Sequence, residues 1–432
     1  MKSSALLQAD CFRIPLASKS VHCIVTSPPY WGLRKYAGEQ GQEPLGLEPT
    51  PERHIERTVL WAREVWRVLR PDGVFWLNYG DCFSAAGWES NRRSVIGAGS
   101  FAPDERKSGK VPGLAAGNLM LMPHRIALAL QADGWIVRQD LIWSKPNPMP
   151  ESVNGWRWQR ERERVGHKNT VRKSATNLGS FNEIGGNVWE RDALEPDYEY
   201  GPDYELRRGS WRHTRAHEYI FMLVKGMGYW SDQEAVRESA GGWNGSSFTS
   251  HYDKAVYAGL GQAGRIEKAG RNPRSVLHIP TAPYKGSHYA TYPPALITPL
   301  ILATCPRWCC PVCGQGWAPV VEQQNVTSRR ESAHVPGNTP TKVDSTGWKS
   351  TTGGVLGYRS ACDHPHTQEE AVPGIVFDPF VGSGTTVATA RELLRVGIGI
   401  DISRPYLDEQ AVVRTKLGNP SNALDNLPLF NL

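Results

Sequence analysis

The sequence predicts an α/β fold, and three observations carry that prediction. Cys23-Ile24-Val25 is an apolar run too short for a helix, and Thr26-Ser27-Pro28-Pro29-Tyr30-Trp31 stops it. Ile375-Val376-Phe377 runs likewise into Asp378-Pro379-Phe380-Val381-Gly382-Ser383-Gly384-Thr385-Thr386, which opens a helix from Val387 to Leu394. Val396 to Ile400 then reads as a strand ending in an acid, Asp401. Strands alternating with helices in this way build mostly parallel sheets.

The two turns differ in chemistry. In the first, two prolines fix φ and remove backbone donors, leaving the Ser27 hydroxyl and the Pro28 carbonyl as acceptors beside two aromatic rings. Such a set suits a planar substrate carrying an NH2 that stacks on Tyr30, although a Pro-Pro turn with an aromatic plug is the plainer reading. In the second, Gly382 and Gly384 let backbone approach a ligand, and the helix start offers free N–H groups. No Gly-Lys-Ser/Thr occurs in the chain, which excludes a phosphate-gripping loop. An acid at the position of Asp401 is where Rossmann-like sheets hold ribose hydroxyls.

With 432 residues, the chain reads as one large domain with insertions or as two domains. No apolar run is long enough to span a membrane, and the N-terminus lacks the apolar stretch of a signal peptide, so a cytoplasmic protein is expected. Eight cysteines then read as thiols or metal ligands rather than disulfides. A net charge of +6 has the sign expected for a polyanionic partner, and sixteen tryptophans suit a large core or contacts with bases.

In chain order, Leu6 to Cys11 reads as a short strand carrying Asp10 near its end. Thr50-Pro51 is an N-cap with proline at the first helical position, and Ile55, Val59, Ala62, Trp66 and Leu69 mark one face of the helix that follows. Arg70 to Gly73 reads as a turn and Val74 to Asn78 as a buried strand. Ala85 to Gly117 is Gly/Ser-rich and reads as a loop or lid, followed by a helix from Leu119 to Gln131 and a strand from Trp135 to Trp143. From Asn147 to Arg215 periodicity disappears, and Trp156 to Arg164 mixes both charges with tryptophan, as on a solvated helical face or a nucleic-acid surface. His217 to Lys225 alternates like a strand, Gly226 to Arg274 is polar and Gly-rich, and Ala295 to Thr304 is an apolar helix.

Cys310-Pro311-Val312-Cys313-Gly314 has the shape of a zinc knuckle. Cys362 and His364 offer a return pair, with His366 competing for the fourth place, and a redox C-x-x-C is the alternative. A structural zinc would fasten the Ala318 to Ser360 excursion.

Ser27-Pro28-Pro29-Tyr30 together with Asp378-Pro379-Phe380 and Gly382-Ser383-Gly384-Thr385-Thr386 resembles the DNA amino-methyltransferases, in the permuted order of their beta group. The resemblance covers both ends of the chain and leaves roughly the middle third unmatched. It implies a Rossmann-like class I methyltransferase sheet, circularly permuted, with target-recognition insertions and a small zinc-knuckle insertion. It implies S-adenosylmethionine as cofactor and double-stranded DNA as partner. Ser27, Pro28, Pro29 and Tyr30 become the catalytic set, and Asp378, Phe380, Gly382, Gly384, Thr385 and Asp401 the cofactor set. Asp10 joins that set near the adenine, and His288 and Pro293 near the methionine end. Cys310, Cys313, Cys362 and His364 stand as the metal ligands.

The implied organisation is a catalytic half at 1–146, an insertion at 147–215 for DNA recognition, and a returning strand at 216–230. A second recognition region at 231–283, a cofactor-side helix at 284–304, a zinc-knuckle insertion at 305–372 and a cofactor-binding half at 373–432 complete it. The expected reaction is methyl transfer to the amine of a flipped base, cytosine N4 first because the motif begins with serine, adenine N6 as the alternative. Absence of a Pro-Cys dipeptide argues against ring-carbon methylation. An inactive DNA-binding relative, or an RNA or protein-amide methyltransferase, is the more remote reading.

Overall fold

A computed structural model of the chain describes residues 4–32, 45–84, 113–148, 151, 154–169, 194–238, 272–281, 291–327, 349–418 and 421–422. The chain forms two compact units, Met1–Asn147 with Ala216–Leu432, and Pro148–Arg215.

The larger unit is built on a sheet with nine strands among the described residues. In chain order its elements are β1 (Ala5–Gln8), β2 (Val21–Thr26), α1 (Pro51–Val68), β3 (Leu69–Tyr79), α2 (Met122–Ala132) and β4 (Ile136–Ser144). The smaller unit contributes β5 (Arg157–Asn169) and β6 (Leu194–Arg207). There follow β7 (His217–Val224), β8 (Val276–His278), α3 (Pro294–Thr304), β9 (Ala318–Thr327), β10 (Lys349–Arg359), β11 (Ile375–Asp378), α4 (Thr385–Glu392) and β12 (Val396–Asp401). A last helix is α-helical at Arg404–Tyr406 and Val412–Thr415 with a π-helical middle at Leu407–Ala411, and β13 (Ser421–Asn422) ends the described chain.

The strand order is β13-β1-β12-β11-β2-β3-β7-β4-β8. Only β7 runs against the others, pairing antiparallel with both β3 and β4. β2 and β11 lie side by side although some 350 residues separate them, with Cys23 opposite Val376 and Ile24 opposite Phe377. The alternating pleat of β2 feeds two cores. Ile24 joins Trp61, Val65, Ile126, Leu130, Phe75 and Phe377 on one face, under α1 and α2. Cys23 and Val25 join Val74, Trp76, Val376, Leu296, Leu300 and Ile301 on the other, under α3.

Four details differ from the sequence reading. The stretch from Trp156 to Arg164, read as a solvated helical face or a nucleic-acid surface, belongs largely to strand β5 (Arg157–Asn169). The buried stripe of α1 is His54, Thr58, Trp61, Ala62, Val65 and Val68, so Ile55, Val59 and Trp66 lie at its edge. Periodicity counts apolar residues, whereas polar His54 is buried because it has partners inside. The turn at 70–73 sits within β3: Val21 pairs with Leu69 and Cys23 with Val74, so the excursion bulges out of a continuing ladder. Among the described residues, the polar stretch after Trp317 forms a ribbon, β9 against β10, rather than an irregular excursion.

Most of Ala85 to Gly117 and of Gly226 to Arg274 lies outside the described residues. The residues flanking the first segment are pinned together, since the Ser84 N–H donates to the Asn118 carbonyl and the Gly117 N–H to the Ser84 carbonyl.

Buried His22 on β2 ties the knuckle at Gly314 to the sheet. Its Nδ1 accepts from the Ile375 N–H at 3.0 Å, which leaves Nε2 to donate to the Gly314 carbonyl at 2.9 Å. His22→Ala orphans both groups and should cost about 2–4 kcal/mol in urea denaturation; a loss below about 0.5 kcal/mol would mean the link holds nothing.

Candidate active site

The ends of β2 and β11 meet at Asp378, a carboxylate 2% exposed. It accepts from Thr26 Oγ1 at 2.6 Å, Thr386 Oγ1 at 2.6 Å, the Phe380 N–H at 3.0 Å and Tyr292 Oη at 3.1 Å. Burial pushes its carboxyl up, and the four donors pull against that. Four donors around one buried acid hold the turn after β2, the turn after β11 and the entry to α3 together.

Immediately beyond Thr26, Ser27 Oγ donates to Tyr30 Oη at 2.8 Å, and Tyr30 Oη donates to Glu218 Oε2 at 2.9 Å. Asn78 Nδ2 bonds both Tyr30 Oη and Glu218 Oε2 at 2.9 Å, an orientation set by the carboxylate, which accepts only from the amide nitrogen. The second carboxylate oxygen of Glu218 is held by Lys145 Nζ, which also lies 4.3 Å from the centre of the Trp143 ring. Burial, and then the Glu218 charge, push the Tyr30 hydroxyl well above its ordinary value, so it stays a donor. Gly80 makes this packing possible, since a Cβ there would fall 2.8 Å from the Tyr30 ring and 3.5 Å from the Glu218 carboxyl carbon.

A second, deeper layer backs this one. The Tyr30 ring lies 4.6 Å from that of Tyr79. Tyr79 Oη meets His54 Nε2 at 2.7 Å and accepts from the Trp31 N–H, while His54 Nδ1 bonds Glu48 Oε2 at 2.8 Å. Burial of Glu48 opposes its ionisation, yet the His54 hydrogen bond and the Arg57 charge hold its carboxyl below the usual range.

On the other side of Asp378 lies the glycine turn. Gly382 and Gly384 take φ of 46° and 81°, in the left-handed region that favours glycine. A side chain at Gly384 would strike Ala411 and Thr415 of the last helix. Asp401 Oδ2 accepts from the Gly382 N–H and Oδ1 from the Ser403 N–H; burial pushes its carboxyl up to about 6. Asp10 lies at the neighbouring strand end, where the Ala9 N–H bonds the Asp401 carbonyl, and its own Oδ1 closes a turn onto the Phe12 N–H. Phe380 packs edge-on against Trp61, and Thr385 is buried with its hydroxyl near Ser383 and Arg414. Pro293 is buried at the start of α3, next to Tyr292; His288 lies outside the described residues.

Away from this site, one ligand atom from each of Cys310, Cys313, Cys362 and His364 lies within 4.8 Å of every other. The Val312 N–H points at Cys310 Sγ, 3.4 Å away. His366 has both ring nitrogens engaged, with Trp317 Nε1 at 2.9 Å and the His364 carbonyl at 2.7 Å, so His364 rather than His366 gathers with the three cysteines.

Glu218, Lys145, Asn78, Glu48 and His54 escaped the sequence reading. The signal was a polar residue near one end of a strand: Asn78 next to the end of β3, Lys145 just after β4 and Glu218 at the start of β7.

Residues 21–307 and 367–412 match the family model described as a DNA methylase acting at N6 or N4. The type II methyltransferase M.XycI of Xanthomonas campestris pv. cyanopsidis is 33% identical over 70% of this chain and 73% of its own. M.SmaI of Serratia marcescens is 28% identical over 93% and 87%. A solved structure named PvuII DNA methyltransferase (cytosine-N4-specific) aligns with 98% of this chain and 90% of its own at 14% identity, with a TM-score of 0.43 that carries no weight. On the family model and the identity to M.XycI, the chain belongs to the N6/N4 family of DNA methylases.

Proposed function

We propose that this chain uses S-adenosylmethionine to methylate the exocyclic amine of a base flipped out of double-stranded DNA, and that the amine is cytosine N4. The observation that carries the reading is the adjacency of β2 and β11, which sets the Ser27 and Pro28 acceptors beside the glycine turn. An exocyclic amine is a poor nucleophile because its lone pair is delocalised into the ring. Ser27 Oγ and the Pro28 carbonyl, accepting its two hydrogens, favour a pyramidal nitrogen with a localised pair. Tyr30 offers a ring on which the flipped base stacks.

The residues fit the cofactor. Asp401 and Asp10 place carboxylates at neighbouring strand ends, suited to ribose hydroxyls and an adenine amine. Gly382 lets the backbone approach, and Asp378, Phe380, Gly384 and Thr385 shape the turn from behind. Pro293, buried at the start of α3, stands on the side of the methionine end. When bound, the cofactor supplies an electrophilic methyl group.

The pairing of β1 with β12 and of β2 with β11 supports a circularly permuted sheet, its cofactor side drawn from both ends of the chain. Residues 147–215 and 231–283 serve DNA recognition, and 305–372 is an insertion closed by zinc on Cys310, Cys313, Cys362 and His364.

Mass analysis of nucleosides from DNA treated with the protein and labelled cofactor should yield N4-methylcytosine; N6-methyladenine alone would refute the choice of base, and no labelled nucleoside would refute the function.

Freshly purified protein should contain about one zinc per chain, as four N/S ligands close a structural site. Cys313→Ser should release it and lower the thermal midpoint; metal-free protein of full stability would contradict the site.

Asp401 gives a pH dependence. In the free protein it holds its proton up to about pH 6, and hydroxyl donors of a ligand bind its ionised form better. Cofactor affinity should therefore rise through that pH, by about tenfold per unit that binding lowers the Asp401 pKa. The raised value also stabilises the free fold below the ordinary carboxylate range, and that contribution is lost as pH rises through about 6. Calorimetric titration between pH 5 and about 8 checks this; Asp401→Asn should flatten the profile, and a wild-type profile already flat would contradict the role.

A further inference from the structure

We infer that Glu218 is a positioning residue for methyl transfer, which orients Ser27 through Tyr30 and receives the proton the amine gives up. The inference rests on the amino-methyltransferase reading of Ser27 and extends it to a carboxylate that no part of the tetrapeptide supplies.

The geometry is a directed chain. Ser27 Oγ gives its hydrogen to Tyr30 Oη, and Tyr30 Oη gives its hydrogen to Glu218 Oε2. With its hydrogen committed towards Tyr30, Ser27 can present only lone pairs elsewhere, which is what an NH2 substrate needs. A lone serine hydroxyl rotates freely; this one is aimed by an acid two residues removed along the hydrogen-bond chain. Glu218 is itself fixed, by Lys145 on one oxygen and by Asn78 on the other. Asn78 is 5% exposed, and its Oδ1 has no partner among the described residues, so the site retains an unsatisfied acceptor. The reversed strand β7 explains how the acid arrives. Because β7 runs against β3, with Tyr219 opposite Tyr79, its first residues reach the end of the sheet where β2 and β3 finish.

The same chain carries the proton away. As the amine nitrogen bonds the methyl carbon, the methyl–sulfur bond breaks and its electron pair stays on sulfur. The nitrogen then sheds one N–H proton to Ser27 Oγ; the Ser27 hydrogen passes to Tyr30 Oη, and the Tyr30 hydrogen to Glu218 Oε2. Glu218 ends as a neutral acid beside Lys145, and both hydroxyls end as they began. Tyr30 stays protonated in the resting site, as a relay requires.

The test uses the full chain in single-turnover methylation of DNA, with cofactor affinity measured alongside. Wild-type protein must first methylate an exocyclic amine; if it does not, the functional reading fails before Glu218 is tested. Glu218→Gln keeps an acceptor for Tyr30 but cannot take its proton. It should slow transfer roughly a hundredfold, as loss of one transition-state group does, with cofactor Kd and DNA KM within about threefold of wild type. Tyr30→Phe should slow transfer to a similar degree, and the double variant should be no slower than the worse single one, because both cut one chain. Wild-type rates in Glu218→Gln, or independent and multiplying losses in the double variant, would overturn the inference. So would loss of cofactor binding in Glu218→Gln, which would assign Glu218 to the fold instead.

Discussion

A buried carboxylate with four protein donors holds this structure together at its working end. Asp378 bonds Thr26, Thr386, Tyr292 and its own turn at Phe380, and no two of the three distant segments it joins are neighbours in sequence. An unpaired acid at such depth is expensive, so Asp378 makes the three segments interdependent. The consequence is positional. The Ser27 hydroxyl starts one residue after Thr26, and the glycine turn starts a few residues after Asp378, so one junction sets both sides of the site.

Around that junction polarity increases in layers. Glu48, His54 and Tyr79 form a deep, almost solvent-free set behind Tyr30, while Glu218 and Asn78, with Lys145 holding Glu218, form the layer that touches Tyr30 and, through it, Ser27. The deep layer fixes the wall on which Tyr30 leans. The nearer one fixes the direction of its hydroxyl. In the smaller unit β5 and β6 pair antiparallel, with Arg157 opposite Arg207 and Arg160 opposite Tyr204. Trp156, Trp158 and Trp211 are exposed there, with Arg208 lying 5.0 Å from the centre of the Trp156 ring, and the case for DNA contact falls on them.

The strands and turns that carry the candidate site were legible because their residues are locally unusual. Proline pairs after an apolar run and glycines before a helix constrain the backbone wherever they occur, so Ser27 and Gly382 stood out without any fold. Asp10 and Asp401 were legible by position at strand ends, and Cys310, Cys313, Cys362 and His364 by spacing. Glu218 and Lys145 were not, because only the antiparallel insertion of β7 beside β3 gives them a place near Tyr30. The ribbon of β9 and β10 was missed for another reason: its strands are rich in Ser, Thr, Gly and Gln, so no apolar alternation betrays a strand held by its own ladder. Helix α1 was found, but its buried face was misjudged where His54 and Thr58 replace apolar residues.

The central claim is that one sheet end brings the amine acceptors and the cofactor together, with Asp378 as the fastening. The structure of the protein with S-adenosylhomocysteine bound tests it most directly. The account predicts the ligand's sulfur over the C-terminal ends of β2 and β11, facing Ser27, with the ribose at Asp401. A ligand seated at the opposite end of the sheet, or with its sulfur turned away from Ser27, would contradict it.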